Sequence, residues 1–373
     1  MDALDCALAL GRAPGLTAAQ LRAALQRLSS QQLTALVGLP PRRLRALQLP
    51  EATVAALALP DTGQLCRDRA WVLAQGITLL HALDARYPPQ LAEISDAPAL
   101  LYVRGDARSL GAAQLAMVGT RRPTAIGTRT AHVFAACLAQ CGLVITSGLA
   151  LGIDAASHGG ALAAGGRSIA VLGCGLDAIY PPEHTGLAAR IATQGALVSE
   201  FPPGTPPRRG NFPRRNRLIS ALSRGVLVVE AARHSGSLIT ARLATEQGRE
   251  VFAVPGSIQN PLARGCHALI KRGARLVESA EEIVQQLHLP LQISFSEQQL
   301  TAQRPDPARS GIGPPALDND YKILLDAFGH EPAGVDFLVE RSGLPSPTVA
   351  SMLLILELEG HVELQADGRY MRL

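Results

Sequence analysis

The stretch MVGTRRPTAIGT, residues 117–128, decides the fold. An apolar run ends in Gly119, two arginines follow in a turn, and a helical segment resumes beyond the proline. Five more apolar runs share this form. With LAMVG (115–119), they are LVITSG (143–148), SIAVLG (168–173), ALVSE (196–200), GVLVVE (225–230) and EVFAVPG (250–256), and helical stretches alternate with them. Near-continuous Val, Ile, Leu and Ala without strict alternation marks strands covered on both faces, as in a parallel sheet. The region therefore predicts an α/β fold, a doubly wound, mostly parallel sheet of Rossmann-like type.

Outward from this core the pattern changes twice. Residues 1–66 carry leucines and alanines at helical spacing with short interruptions, which predicts a small all-helical domain ahead of a sheet domain at 70–288. Residues 289–316 are rich in Pro, Gln and Ser and predict a linker. Residues 317–373 show three helical patterns, then two strand-like segments around an Asp-Gly turn, the order of a winged helix.

A chain of 373 residues with 47% apolar composition has ample material for a sizeable core. The formal charge is only +4, but its distribution is uneven. Residues 112–287 hold 18 Lys or Arg against 10 Asp or Glu, whereas residues 317–373 hold 4 against 10. The sheet domain suits a polyanion; the tail repels one. Cys6, Cys66, Cys137, Cys141, Cys174 and Cys266 show no framework spacing, so free thiols in a reducing compartment are expected. Cys137 and Cys141 lie at i, i+4 but have no histidine or second cysteine pair at ligand spacing, so no metal site is assigned. Asp2 and Asp5 stand where a signal peptide would be basic. The uncharged run 130–153 is broken by Gln140, Gly142, Ser147 and Gly148, and predicts a buried helix and strand rather than a membrane span. A cytoplasmic location is expected.

In open α/β sheets ligands bind beyond the carboxyl ends of the strands. Those ends here carry Gly119, Arg121 and Arg122; Ser147 and Gly148; the turn 173–181; the stretch 199–217 with Arg208, Arg209, Phe212, Arg214, Arg215, Asn216 and Arg217; and Ser235, Gly236, Ser237 and Thr240. Singly, each glycine turn reads as an ordinary βα connection. Together they predict a rim for several phosphates, because glycine permits close approach and helix N-termini offer free amides. A charge run is usually a solvated face. In NFPRRNR, however, a flat ring and a proline interrupt the arginines, and a ring among guanidinium groups suits stacked bases between held phosphates. No complete dinucleotide fingerprint and no P-loop lysine motif occurs, so no cofactor is expected. Asp154 and His158 at i, i+4 near Ser147 admit a hydrolase constellation, yet a capping aspartate and a core histidine are the simpler reading. The rim carries no carboxylates beyond Glu200 and Glu230, and an enzyme is not expected.

The motifs MVGTRRPT, SGLALGIDAASH, VLGCGLDAIYPPEH, SEFPPGTPPRRGNFPRRNRLISALS, VVEAARHSGSLITA and VFAVPGSIQNPLARGCHALIKRGA, in this order, resemble the DNA-processing protein A (DprA, or Smf) family. The segment GITLLHALDARYPPQLAEISDAPALLYVRGD resembles the lead-in to that family's extended Rossmann domain. The resemblance covers roughly residues 70–287. It implies a protein that binds single-stranded DNA cooperatively, dimerises through the Rossmann domain and loads the RecA recombinase in natural transformation. By motif position, Arg121 resembles the family's phosphate-binding arginine, Arg209, Phe212 and RRNR resemble its basic and aromatic DNA contacts, and SGSLITA resembles its rim loop. The flanking regions resemble a sterile-alpha-motif-like (SAM-like) domain and a winged helix found in some members. Residues 343–360 contain no Lys or Arg, so a helix reading duplex DNA is not expected there. The enzyme alternative, a phosphoribohydrolase of nucleoside monophosphates on a related fold, requires a PGGxGTxxE signature, and VPGSIQNP lacks its second glycine and glutamate.

Overall fold

A computed structural model describes residues 1–288, 319–328, 332–358, 361–365 and 368–372. The chain divides into two units, Met1–Ser294 and Phe295–Leu373. The expected linker lies outside the described residues.

Unit one opens with helices α1 (Ala3–Arg12), α2 (Ala18–Arg27), α3 (Pro41–Ala46), α4 (Glu51–Ala58) and α5 (Thr62–Ala74). Capping boxes start the first two: Asp2 with Asp5, and Thr17 with Gln20. The expected boundary at residue 66 falls inside α5, whose N-cap is Asp61. Leu8, Leu21, Leu25 and Leu57 are buried in one cluster with Leu100, Tyr102, Leu172 and Ile191 of the following region, so the helices share a core with the sheet.

Next come β1 (Thr78–His81), α6 (Pro89–Ala92), β2 (Leu100–Gly105), β3 (Gln114–Val118), α7 (Ala125–Gln140), β4 (Val144–Ser147), α8 (Ile153–Ala163), β5 (Ser168–Val171), α9 (Thr185–Gln194) and β6 (Ala196–Ser199). The unit continues with α10 (Asn211–Leu222), β7 (Gly225–Val228), α11 (Ser237–Glu246), β8 (Glu250–Ala253), α12 (Arg264–Ile270), β9 (Arg275–Leu276) and α13 (Ala280–Gln286). The nine strands run in the order β1-β2-β6-β5-β4-β3-β7-β8-β9. From β6 to β9 every pairing is parallel, whereas β2 is antiparallel to both β1 and β6.

The α/β doubly wound sheet is thus present, with all six expected strands in its core and a short antiparallel extension added. The run 130–153 is α7 and β4, a helix and a strand, and among the described residues no helix is long and apolar enough to cross a membrane. Winding proceeds from β3 toward β6 and then returns to β7 on the other side of β3. That reversal makes the β3–β7 crevice the topological switch point.

Unit two has α14 (Asn319–Ala327), α15 (Val335–Ser342), α16 (Ser346–Leu358), β10 (Val362–Leu364) and β11 (Tyr370–Arg372). The two strands pair antiparallel, and Tyr370 also bridges to Ala333, which forms the wing of the expected winged helix. Leu324, Phe328, Leu338, Leu353 and Leu356 make its core. Helix α16 has no basic residue, and Leu354 and Ile355 on it are exposed.

Candidate nucleic-acid interface

Gly119 to Arg122 leave β3 at the switch point. The Thr120 amide donates to the Glu230 carbonyl at 2.7 Å, which ties this turn to the end of β7. The Glu230 carboxylate, itself buried, accepts from the Thr124 amide at 2.9 Å and the Thr124 hydroxyl at 2.7 Å. Thr124 in turn caps α7 by accepting from the Gly127 amide. A Cβ at position 127 would collide with the Glu230 carboxylate, so a larger residue there would displace that side chain from Thr124. On this fixed seat Arg121 and Arg122 project into solvent with no ion-pair partner among the described residues.

Phe212 lies one residue into α10, and the Arg121 guanidinium carbon is 5.8 Å from its ring centroid. The Tyr180 ring stands 5.6 Å from it, centroid to centroid, tilted by 45°. Gly173 lies directly beneath, where a Cβ would come within 3.0 Å of the Phe212 ring. Ends of β3 and β5 and the start of α10 therefore converge on one aromatic platform flanked by a cation, which is geometry for stacking a base. Tyr180 was not singled out from the sequence, although aromatics make up only 3% of the chain and this one lies within a rim turn. Arg208 and Arg209 are exposed just ahead of α10, also without carboxylate partners among the described residues.

Several expected contacts face inward instead. Arg215 is buried: its Nη1 donates to the Gly148 carbonyl at 2.8 Å and also to the Val171 carbonyl, and its Nε donates to Asn216 Oδ1 at 3.2 Å. Burial draws its pKa down to about 10, so it stays charged at neutral pH. Gly148 makes room for this guanidinium, which a Cβ would approach to 2.5 Å. Arg217 is likewise buried, pairing with Glu200 at 2.7 Å and Asp96 at 3.0 Å. Arg214 is exposed but donates to the same Glu200 Oε2 at 2.9 Å and lies over the Phe201 ring. The reading of RRNR as three phosphate-facing cations is corrected to one, because the helical turn of α10 sends Arg215 and Arg217 to the core side.

The Ser147 hydroxyl is buried and donates to the Met117 carbonyl at 2.6 Å, so it offers a ligand nothing. Thr240 and Ser237 are buried as well, while Ser235 and Gly236 stay on the surface, with the Ser235 and Ser237 hydroxyls 2.7 Å apart. Asn216 is half-buried beside Arg215.

Ser147, Asp154 and His158 form no nucleophile–base pair. Asp154 lies inside the first turn of α8 rather than at its cap, and accepts from the Gly148 and Ala150 amides. Burial raises its pKa, while the Arg215 charge opposes that shift. His158 Nδ1 is 2.7 Å from Ser168 Oγ, whose own proton goes to the Ile145 carbonyl. The histidine must therefore be the donor through Nδ1, which leaves Nε2 deprotonated, buried and without a partner. Burial, with smaller repulsion from His184 and Arg215, pushes its pKa down to about 3. It is a neutral core histidine.

Comparison with known proteins bears on this rim. A family model described as DNA recombination-mediator protein A matches residues 78–288, and one described as the DprA winged helix domain matches residues 305–368. Protein Smf of Escherichia coli is 47% identical over 304 residues, covering 81% of this chain and 79% of that protein. The X-ray structure of DNA processing protein A from Streptococcus pneumoniae superposes with a TM-score of 0.65 at 36% identity, over 77% of this chain and 97% of that one. DNA processing protein A from Helicobacter pylori, whose structure concerns a single-stranded DNA binding mode, gives a TM-score of 0.52 at 32% identity, over 57% and 95%.

Proposed function

The chain belongs to the DNA-processing protein A family, and from that premise we propose that it binds single-stranded DNA along the carboxyl-end rim and delivers RecA to the coated strand. It acts as a homodimer in the cytoplasm, in natural transformation, as a mediator rather than an enzyme. The observation that carries the DNA part is the exposed Arg121 guanidinium beside the Phe212 and Tyr180 rings, with Arg122 next to it in the turn and Arg208 and Arg209 exposed just ahead of α10, all four without a carboxylate partner among the described residues. Guanidinium groups hold phosphates irrespective of sequence, and the rings accept any base. The surface residues Gly119, Ser235 and Gly236 complete the proposed contact set, with Arg214 shared between strand and Glu200.

A salt series with an unstructured thymidine oligonucleotide tests this. Four phosphate contacts at about −0.7 each predict a log–log slope near roughly −3, hence about a 50-fold loss of affinity from roughly 50 to 200 mM salt. Arg121→Ala should flatten the slope by about 0.7, and Phe212→Ala should weaken binding by about 1–3 kcal/mol. A salt-insensitive result, or a preference for duplex, would remove the proposal.

The RecA part rests on family membership. In a strand-exchange assay where single-strand-binding protein blocks RecA, the chain should restore exchange, and Arg121→Ala should restore it less. Exchange that stays blocked with the wild-type chain present would sink the loading role while leaving DNA binding intact.

A further inference from the structure

A cavity of about 660 Å³ opens between the turn joining α1 to α2 and the start of α10. That volume lies within the range of roughly 300–1,000 Å³ usual for small-molecule sites. One wall is apolar, with Leu10, Leu16, Pro98 and Leu100; the other carries Glu200, Asn211 and Arg217. Each of these three has one buried polar atom without a hydrogen-bond partner among the described residues: Glu200 Oε1, Asn211 Nδ2 and Arg217 Nη1. The Glu200 and Arg217 side chains are only 2% and 8% exposed. Buried polar groups are almost always paired, so a set of one acceptor and two donors clustered on one wall points to a guest that completes it.

The guest's chemistry follows from the walls. It needs flat apolar faces, an edge with both a donor and acceptors, and an anionic end for the exposed Arg208, which lines the cavity without a carboxylate partner among the described residues. A nucleotide has all three. The cavity also adjoins the interface described above, because Asn211 in its lining immediately precedes Phe212 on the platform.

Building on the single-strand reading, we propose that this cavity takes one nucleotide of the bound strand, its base against the apolar wall and its phosphate at Arg208, so that the N-terminal helical region contributes to DNA binding. The three unpartnered atoms are buried in the chain without its guest, so side chains of the cavity wall must shift as the nucleotide enters.

Pro14 is exposed at the cavity wall, and only its backbone carbonyl is engaged, by the Thr53 hydroxyl. Pro14→Trp should plug the cavity and weaken binding of the thymidine oligonucleotide about tenfold, the loss of roughly one good contact set, relative to Pro14→Ala. Where the tryptophan variant fails to fold, 4-thiothymidine in the same oligonucleotide decides with the wild-type chain. Photocrosslinks to residues 13–17 support the cavity and their absence overturns it. If Pro14→Trp binds like Pro14→Ala while Arg121→Ala binds weakly, the cavity proposal falls and the rim stands. If none of the three substitutions matters, the rim reading falls and the cavity with it. Binding of free thymidine monophosphate that Pro14→Trp abolishes, with oligonucleotide affinity unchanged, would give the cavity to a free nucleotide and overturn its place on the strand.

Discussion

Arg215→Ala is expected to lower stability by about 3–5 kcal/mol, the range for breaking a buried charge arrangement by removing one partner. The substitution strands the Gly148 and Val171 carbonyls and leaves buried Asp154 without the cation that offsets its desolvation. It also opens a void under Gly148, where the guanidinium now fits against the backbone. Against a typical domain stability of about 5–15 kcal/mol, such a loss is severe. Urea unfolding at neutral pH measures it, with Arg215→Met separating lost charge from lost volume. Arg121→Ala, on an exposed turn, should stay within about 0.5 kcal/mol of wild type. A variant at 215 as stable as the variant at 121 would contradict the structural role and return Arg215 to the DNA.

The second large effect is an acid sensitivity centred on His158. Its folded pKa of about 3 lies below the ordinary value of 6.5, so between those limits the unfolded chain binds a proton that the native chain refuses. Stability from this group is complete above pH 6.5 and falls as pH drops toward 3. By pH 4 the loss is about 3 kcal/mol at 1.36 kcal/mol per pH unit. Asp154 acts in the opposite sense: burial raises its pKa, so acidification protonates it in the folded state first and favours the fold. The two are separated by His158→Asn, whose amide nitrogen can reproduce the donor to Ser168 but cannot take a proton. Unfolding midpoints at pH 7 and pH 4 should diverge less in that variant than in wild type. Equal divergence would place the acid lability elsewhere.

The contrast between Arg121 and Arg215 also shows what was legible in the sequence. The six core strands could be read because both faces of each are covered, which leaves unbroken apolar runs. Strands β1 and β2 are not legible as strands, since runs of four and six residues carry little periodicity and lie in a segment that stands out only for its resemblance. Strand β9, two exposed residues long, leaves no pattern at all. The arginines of RRNR read as rim contacts in the sequence, yet a signal for burial is present: Arg215 is three, four and seven residues ahead of Leu218, Ile219 and Leu222, the buried face of α10. A helix begun at Asn211 sends Arg215 inward. Nothing local announces that Glu200 is the buried anchor of Arg214 and Arg217, because that pairing depends on how β6 ends beside α10.

Glu230 has one more consequence. In dinucleotide-binding sheets a pyrophosphate settles at the switch crevice, against the amides that open the first crossover helix. Here a carboxylate of the chain itself stands at that spot and already takes the Thr124 amide and hydroxyl. An incoming diphosphate would meet a carboxylate and an occupied donor, which disfavours the dinucleotide mode of binding at this crevice. Arg121 and Arg122, exposed in the same turn, lie outside that occupied pair, so an anion there is left to side chains rather than to the amide that opens the helix.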